Sequence, residues 1–196
     1  DISEDDFNIN PDLIEKKINE KTKAILVVHL YGNPVNIYKI MKIAKKYDLA
    51  VIEDACQAHG ALINKKKVGS FGTGCFSFYP TKNITTSEGG MITTNDPKIY
   101  EEAKLLRNHG MKIRYYHEII GFNFRMTEIS AAIGIEQLKK LDNFNKKRIK
   151  NALFYNNSIK AKGIILPKIR KNFTHVFHQY TLRITEKCKK NREEII

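Results

Sequence analysis

Hydrophobic positions in this chain follow two different periods, and the switches between them mark its elements. Ala24 to Leu30 is an apolar run with His29 near its end, suited to a strand buried on both faces. Gly32-Asn33-Pro34 breaks the run, and Ile37, Ile40, Met41, Ala44 and Tyr47 then recur at helical spacing. Leu49 to Ile52 forms a second short apolar strand, closed by Glu53-Asp54. Strand, helix and strand within about 30 residues predict a βαβ unit with parallel strands.

Upstream, Asn10-Pro11 reads as a cap followed by proline at the first helical position, opening a short helix with Leu13, Ile14 and Ile18 on one face. Downstream, Ala61 to Val68 predicts a hairpin with Asn64-Lys65 at its tip, and Cys75 to Tyr79 and Met91 to Thr94 predict two more strands. Asp96-Pro97 starts a helix carrying Ile99, Ala103 and Leu106. A long amphipathic helix is expected from Met126 to about Tyr155, lysine-rich in its final third. After Gly163 the texture changes to short β-like pieces at Ile164 to Leu166 and Val176 to Ile184. The expected division is 1–155, part of a large domain, and 156–196, the beginning of a smaller one. The chain begins in mid-pattern, and Lys189 to Ile196 resembles a helix just started, so a partial chain is expected.

Composition narrows the class. With 196 residues and 42% hydrophobic content the chain can bury a real core. No apolar run reaches the ~20 residues needed to cross a bilayer, and the first residues are acidic rather than a basic signal region. Three cysteines, Cys56, Cys75 and Cys188, are an odd number without metal-ligand spacing, which fits a reduced cytoplasmic setting. The formal charge of +13 raises a polyanion-binding alternative. The lysines are spread along polar faces and turns, however, as expected of a solvated surface, and no nucleic-acid or membrane partner is expected.

Candidate chemistry centres on Lys82, in Phe76-Ser77-Phe78-Tyr79-Pro80-Thr81-Lys82-Asn83 between two predicted strands. Asp54 comes at the C-terminal end of a predicted parallel strand, where α/β proteins place ligands. A lysine that forms an imine and a carboxylate that keeps a pyridine nitrogen protonated are the two-point requirement of pyridoxal phosphate chemistry. Gln57 can hydrogen-bond a ligand oxygen, and Cys56 is small enough to let a flat ring approach. His29 and His59 are pocket candidates that serve equally as hydrogen-bonded structural residues. The glycines at 69, 72 and 74 resemble a phosphate cradle, yet they precede a strand rather than a helix, so no nucleotide fingerprint fits.

The combination resembles one family. Val51 to Ala61 (Val-Ile-Glu-Asp-Ala-Cys-Gln-Ala-His-Gly-Ala), Val68 to Gly72, Phe76 to Asn83, Glu88 to Thr94, Leu106 to Gly110 and Gly121 to Arg125 occur in the order found in the DegT/DnrJ/StrS sugar aminotransferases. That resemblance implies the fold-type I architecture of pyridoxal-phosphate-dependent transferases: a mixed, mainly parallel sheet flanked by helices, with the start of a small C-terminal α+β domain. It further implies that Lys82 forms the imine with the cofactor, Asp54 pairs with the pyridinium nitrogen and Gln57 contacts the ring hydroxyl. Cys56 would pack on the ring, and Ser77 would bind the phosphate. Asn123 would reach the phosphate of a neighbouring subunit's cofactor, making the active unit a homodimer. Implied substrates are an amino-acid donor, L-glutamate, and a nucleotide-linked keto-sugar of polysaccharide or deoxyamino-sugar biosynthesis.

The largest departure is at the start, where the family's N-terminal segment, with its small-residue phosphate loop and much of its sugar pocket, has no counterpart, so about half of a member is expected here; the others are local. Cys56 stands where alanine is common, Thr73-Gly74 replaces a stretch that usually includes aspartate, Ser87 replaces a frequent glycine, and Gln179 breaks a histidine–leucine–tyrosine echo. Two alternatives to the aminotransferase are a regulatory protein of the same fold without turnover and a pyridoxal-dependent sugar dehydratase of the family. The dehydratases replace the imine lysine with histidine, whereas this chain keeps Lys82.

Overall fold

The computed structural model describes residues 1–195. Strand β1 (Ala24–Val28) leads through a tight turn into helix α1 (Ile37–Lys46) and back into β2 (Ala50–Asp54). The two strands are parallel with Ala24 opposite Ala50, the predicted βαβ unit. Asn36 caps α1 by accepting from the Lys39 amide, and Ile37, Ile40, Ile43 and Ala44 turn one face inward. These side chains pack with Ile25, Val27, Val35, Val51, Ala55, Ala58 and Val176 into one hydrophobic cluster.

A hairpin follows, β3 (Leu62–Ile63) and β4 (Lys66–Lys67). Asn64 and Lys65 at its tip both have positive φ, 49° and 67°, as a two-residue type I′ turn requires. Strand β5 (Thr73–Ser77) pairs parallel with β2, and β6 (Gly90–Thr93) pairs antiparallel with β5, giving the sheet order β1-β2-β5-β6. This is the expected mixed, mainly parallel sheet. Its register puts Val28, Asp54, Cys75 and Ile92 in one row across all four strands. Their face is the open one, with Leu26 and Ile92 both more than half exposed, while Val27 and Glu53 point into the core.

Helix α2 (Pro97–Leu106) is capped by Asp96. A short hairpin, β7 (Met111–Ile113) and β8 (Tyr116–His117), precedes the 31-residue helix α3 (Glu128–Ser158), capped by Thr127. Leu141, Asn145, Arg148 and Ala152 fall on one stripe of α3, and three of the four, Leu141, Asn145 and Ala152, are buried. Beyond it, β9 (Ile164–Ile165) pairs with β11 (Arg183–Ile184), and β10 (Phe173–Thr174) joins β3.

Three segments differ from the sequence expectation. The predicted first helix is two 3-10 turns, Pro11–Leu13 and Glu15–Lys17, because the chain turns extended at Ile18 and is caught by the Asn19–Thr22 turn. Val176 to Ile184 is strand only at its end, since His175 to Gln179 is held instead by the 29–33 turn: Val176 and Gln179 donate to Gly32 and Tyr31 carbonyls. Residues 189–195 form turns and bends rather than a helix, and Ile196 lies outside the described residues.

Candidate active site around Lys82

Glu53 explains why the C-terminal end of β2 is well defined. Its carboxylate is fully buried and accepts four hydrogen bonds: His29 Nε2 (3.1 Å) and Gly69 N (2.8 Å) on Oε2, and Phe71 N and Gly72 N (both 2.8 Å) on Oε1. Burial alone would push its carboxyl up, but His29 and the three amides outweigh it and hold the group below the usual carboxylate range. The glycine segment predicted as a possible phosphate cradle is therefore an anion cradle whose anion is an internal side chain. Gly72 must be glycine, because a Cβ there would stand 2.2 Å from the Val51 carbonyl oxygen.

With Glu53 pointing inward, strand alternation turns Asp54 to the open face. Asp54 Oδ1 accepts from the Cys56 amide at 3.0 Å, and its carbonyl accepts from the His29 amide. Gln57 uses Oε1 to accept from the Tyr31 amide at 2.6 Å, fixing a residue whose φ is +59°. Its Nε2 makes no hydrogen bond among the described residues, which leaves two donors for a ligand oxygen. Cys56 Sγ donates to the Cys75 carbonyl at 3.6 Å. Burial, helped by Asp54, pushes its thiol up to about 12, so it stays neutral and presents a soft surface rather than a nucleophile.

Ser77 ends β5 two residues beyond Cys75, the register partner of Asp54, and so shares the Asp54 face. Its hydroxyl accepts from the Tyr79 amide at 3.3 Å. Lys82 sits in the loop just beyond, half-buried, its amide donating to the Tyr79 carbonyl at 3.0 Å. The loop closes on the Phe78 carbonyl, which accepts from Thr85 Oγ1 (2.8 Å) and the Thr86 amide (3.0 Å). The structure thus gathers Asp54, Cys56, Gln57, Ser77 and Lys82 at one end of the sheet. Asn123 is not among them. It lies exposed in the 121–125 segment, bridged to Asn108, with no hydrogen bond to that cluster among the described residues.

Histidines complete the surroundings. His59 is buried against Phe76 and Phe78, with ring centroids 5.5 and 5.8 Å apart. Burial, reinforced by the nearby charge of Lys82, pushes both His59 and His178 down to about 4 and keeps them neutral. His29, by contrast, is structural: Nε2 donates to Glu53 and Nδ1 accepts from the Val35 amide at 3.2 Å. Asn83, Asn145, Arg148 and His178 were not among the candidates read from the sequence. The available signal was Asn145, a poor helix former on the apolar stripe of a long helix.

This site can be tested for pyridoxal phosphate directly. Asn83 Oδ1 and His178 Nδ1 are buried without hydrogen-bond partners among the described residues. Such groups cost roughly 1–3 kcal/mol each if left so, and these border Lys82, which marks that region as lined for a polar ligand. Asp54, the free Gln57 donors, the Ser77 hydroxyl and the Lys82 amine match a ring nitrogen, a ring hydroxyl, a phosphate and an aldehyde. The group fits.

The fold is that of the fold-type I pyridoxal-phosphate transferases. The chain belongs to the DegT/DnrJ/EryC1/StrS aminotransferase family, whose profile matches residues 1–196. It is 41% identical over 195 residues to GDP-perosamine synthase of Caulobacter vibrioides, covering 97% of this chain and 53% of that protein. Among solved structures it matches S. venezuelae DesV in complex with a ketimine intermediate (TM-score 0.93, 35% identity, 99% of this chain and 52% of that one). It also matches an E. coli GDP-4-keto-6-deoxy-D-mannose-3-dehydratase with bound hydrated PLP (TM-score 0.90, 31% identity, 100% and 55%). The cofactor expected from the sequence agrees with this family and with the PLP bound in that neighbour. The chain spans about half the length of the curated relatives it matches.

Proposed function

We propose that the protein containing this chain is a pyridoxal-phosphate-dependent aminotransferase that moves an amino group from an amino acid, L-glutamate, to a nucleotide-linked keto-sugar. The observation that carries this is the sheet register: Asp54 and Cys75 are partners, so Asp54 and Ser77 share a face, with the Lys82 loop directly after Ser77. When bound, the cofactor supplies an electrophilic carbon for amino groups and a ring that stores the electron pair released at the donor α-carbon. Lys82 would be the residue that holds the cofactor covalently, and its free amine would be the group that moves the proton at the donor α-carbon. Asp54 would hold the ring nitrogen and favour its protonated form, since a carboxylate within ~4–6 Å stabilises the cationic form by about 1–3 pKa units. Gln57 would donate to the ring hydroxyl, Ser77 would hold the phosphate, and neutral Cys56 would pack against the ring without competing for the aldehyde.

The exposed placement of Asn123 supports its role as a residue given to a second copy, with the active unit a homodimer. Relatives named GDP-perosamine synthase and dTDP-3-amino-3,6-dideoxy-alpha-D-galactopyranose transaminase support a nucleotide-sugar acceptor. The dehydratase alternative has a fold neighbour in its favour; the family resemblance implies histidine at the imine position of such dehydratases, and this chain has Lys82 there. The test is spectroscopic. Purified full-length protein should absorb visible light, lose that band on adding glutamate and aminate members of a nucleotide keto-sugar panel. A band indifferent to every common amino donor would refute the transfer.

A further inference from the structure

Helix α3 sends one polar side chain into the core behind the site. Asn145 is 6% exposed and sits on the stripe that otherwise carries Leu141 and Ala152. Its Nδ2 donates to the His59 carbonyl at 2.8 Å, and its Oδ1 accepts from Asn83 Nδ2 at 2.9 Å. Asn83 also donates to the Val176 carbonyl at 3.3 Å, so both amide orientations are set by the acceptors around them. His59 lies two residues past Gln57, and Asn83 is the residue after Lys82. Gly60 leaves the room: a Cβ there would come 2.9 Å from Asn145 Nδ2.

We propose that Asn145 is a positioning residue of the cofactor site, one side chain that sets the Gln57–Gly60 turn and the Lys82 loop at a fixed separation. The inference rests on Lys82 being the cofactor lysine. A mid-helix asparagine costs helix propensity, and a buried amide must be fully paired to be tolerated. Leucine would fill the same place against Leu141 without either cost. The amide does what leucine does not: it joins two loops that no backbone hydrogen bond connects to one another among the described residues. It acts through Asn83 and the His59 carbonyl, and touches neither substrate nor cofactor.

The test uses full-length protein with Asn145→Leu, Asn145→Asp and, as a control for helix loosening on the same stripe, Ala152→Gly. Hydrogen exchange of the cofactor-free proteins is followed at residues 57–61 and 79–86. Asn145→Leu should raise exchange at least tenfold in both segments, lower kcat about tenfold and leave KM for the amino donor within twofold. Asn145→Asp keeps the acceptor for Asn83 and loses the donor to His59, so it should release 57–61 and spare 79–86. Ala152→Gly should lower Tm with neither effect. Exchange raised evenly along the chain in Asn145→Leu, or kcat within twofold of wild type, would overturn the proposal. If Asn145→Leu does not fold, the Asp variant decides: release of 57–61 alone supports it, and unchanged protection refutes it. Absence of a borohydride-trapped adduct on Lys82 in the wild type would defeat the functional reading instead, and the exchange arm would still answer for Asn145.

Discussion

Glu53 accepts a hydrogen bond from His29 Nε2 at 3.1 Å, and neither side chain has any solvent exposure. The pair ties β1 to β2 at the strand ends where Asp54 emerges. Glu53→Ala would strand His29 and the amides of Gly69, Phe71 and Gly72 inside the core. At ~1–3 kcal/mol for each unpaired buried group, a loss of at least ~3 kcal/mol is expected. Urea denaturation of the full-length protein checks this, and a loss below ~1 kcal/mol would mean water replaces the carboxylate freely.

Lys82→Ala should abolish reducible covalent attachment of pyridoxal phosphate. Peptide mass mapping after borohydride treatment locates the adduct, and trapping on another lysine would move the site. Asp54→Ala should retain the adduct and slow the reaction about tenfold for each pKa unit of ring protonation lost, or ~1.4 kcal/mol per unit.

Stability should fall on mild acidification. His59, His175 and His178 are held down to about 4 in the fold, chiefly by burial, against an ordinary 6.5. Between those values the unfolded chain binds more protons, so stability is complete above pH ~6.5 and drains away toward pH ~4. Glu53, held below its ordinary range, acts in the same sense at lower pH. Asp6 opposes, since burial raises it despite Arg170. Three histidines against one carboxyl give a net loss, measurable as a Tm that drops steadily from pH 7 to 4.5.

Cys56 should resist alkylation. With its thiol pushed up to about 12, almost no thiolate forms at pH 8, and iodoacetamide should label it far more slowly than a free cysteine peptide. Cys56→Ala should keep the cofactor. Loss of binding in that variant would show that the sulfur does more than pack.

Ile40→Ala removes a side chain with no solvent exposure from the face of α1 that packs on the sheet. The expected cost is about 2–5 kcal/mol, read by the same denaturation assay.

Much of this architecture was readable from local pattern. The βαβ unit, the Asn64-Lys65 hairpin and the long helix each depend on periodicity or turn chemistry contained within a short stretch. The short first helix broke into 3-10 turns because Ile18 turns extended into the local Asn19–Thr22 turn, whereas the strand expected after Val176 lost its backbone groups to the distant 29–33 turn. The glycines at 69, 72 and 74 match no nucleotide fingerprint in the sequence, and the group that the 69–72 segment holds, Glu53, is 16 to 19 residues distant in the chain and was visible only in three dimensions.

The sequence by itself determined which chemistry is present: a lysine after an aromatic–proline segment, a carboxylate closing an apolar strand, and six ordered blocks that mark the family. The tertiary structure decided how those groups are held. Alternation along β2 sends Glu53 inward and Asp54 outward, and the β2–β5 register puts Ser77 on the Asp54 face. Asn145, 62 residues beyond Asn83, comes within 2.9 Å of it only when α3 packs against the loops. Residue types and strand ends are encoded locally, whereas partnerships between distant buried polar groups arise only on packing, when leaving them unpaired becomes costly.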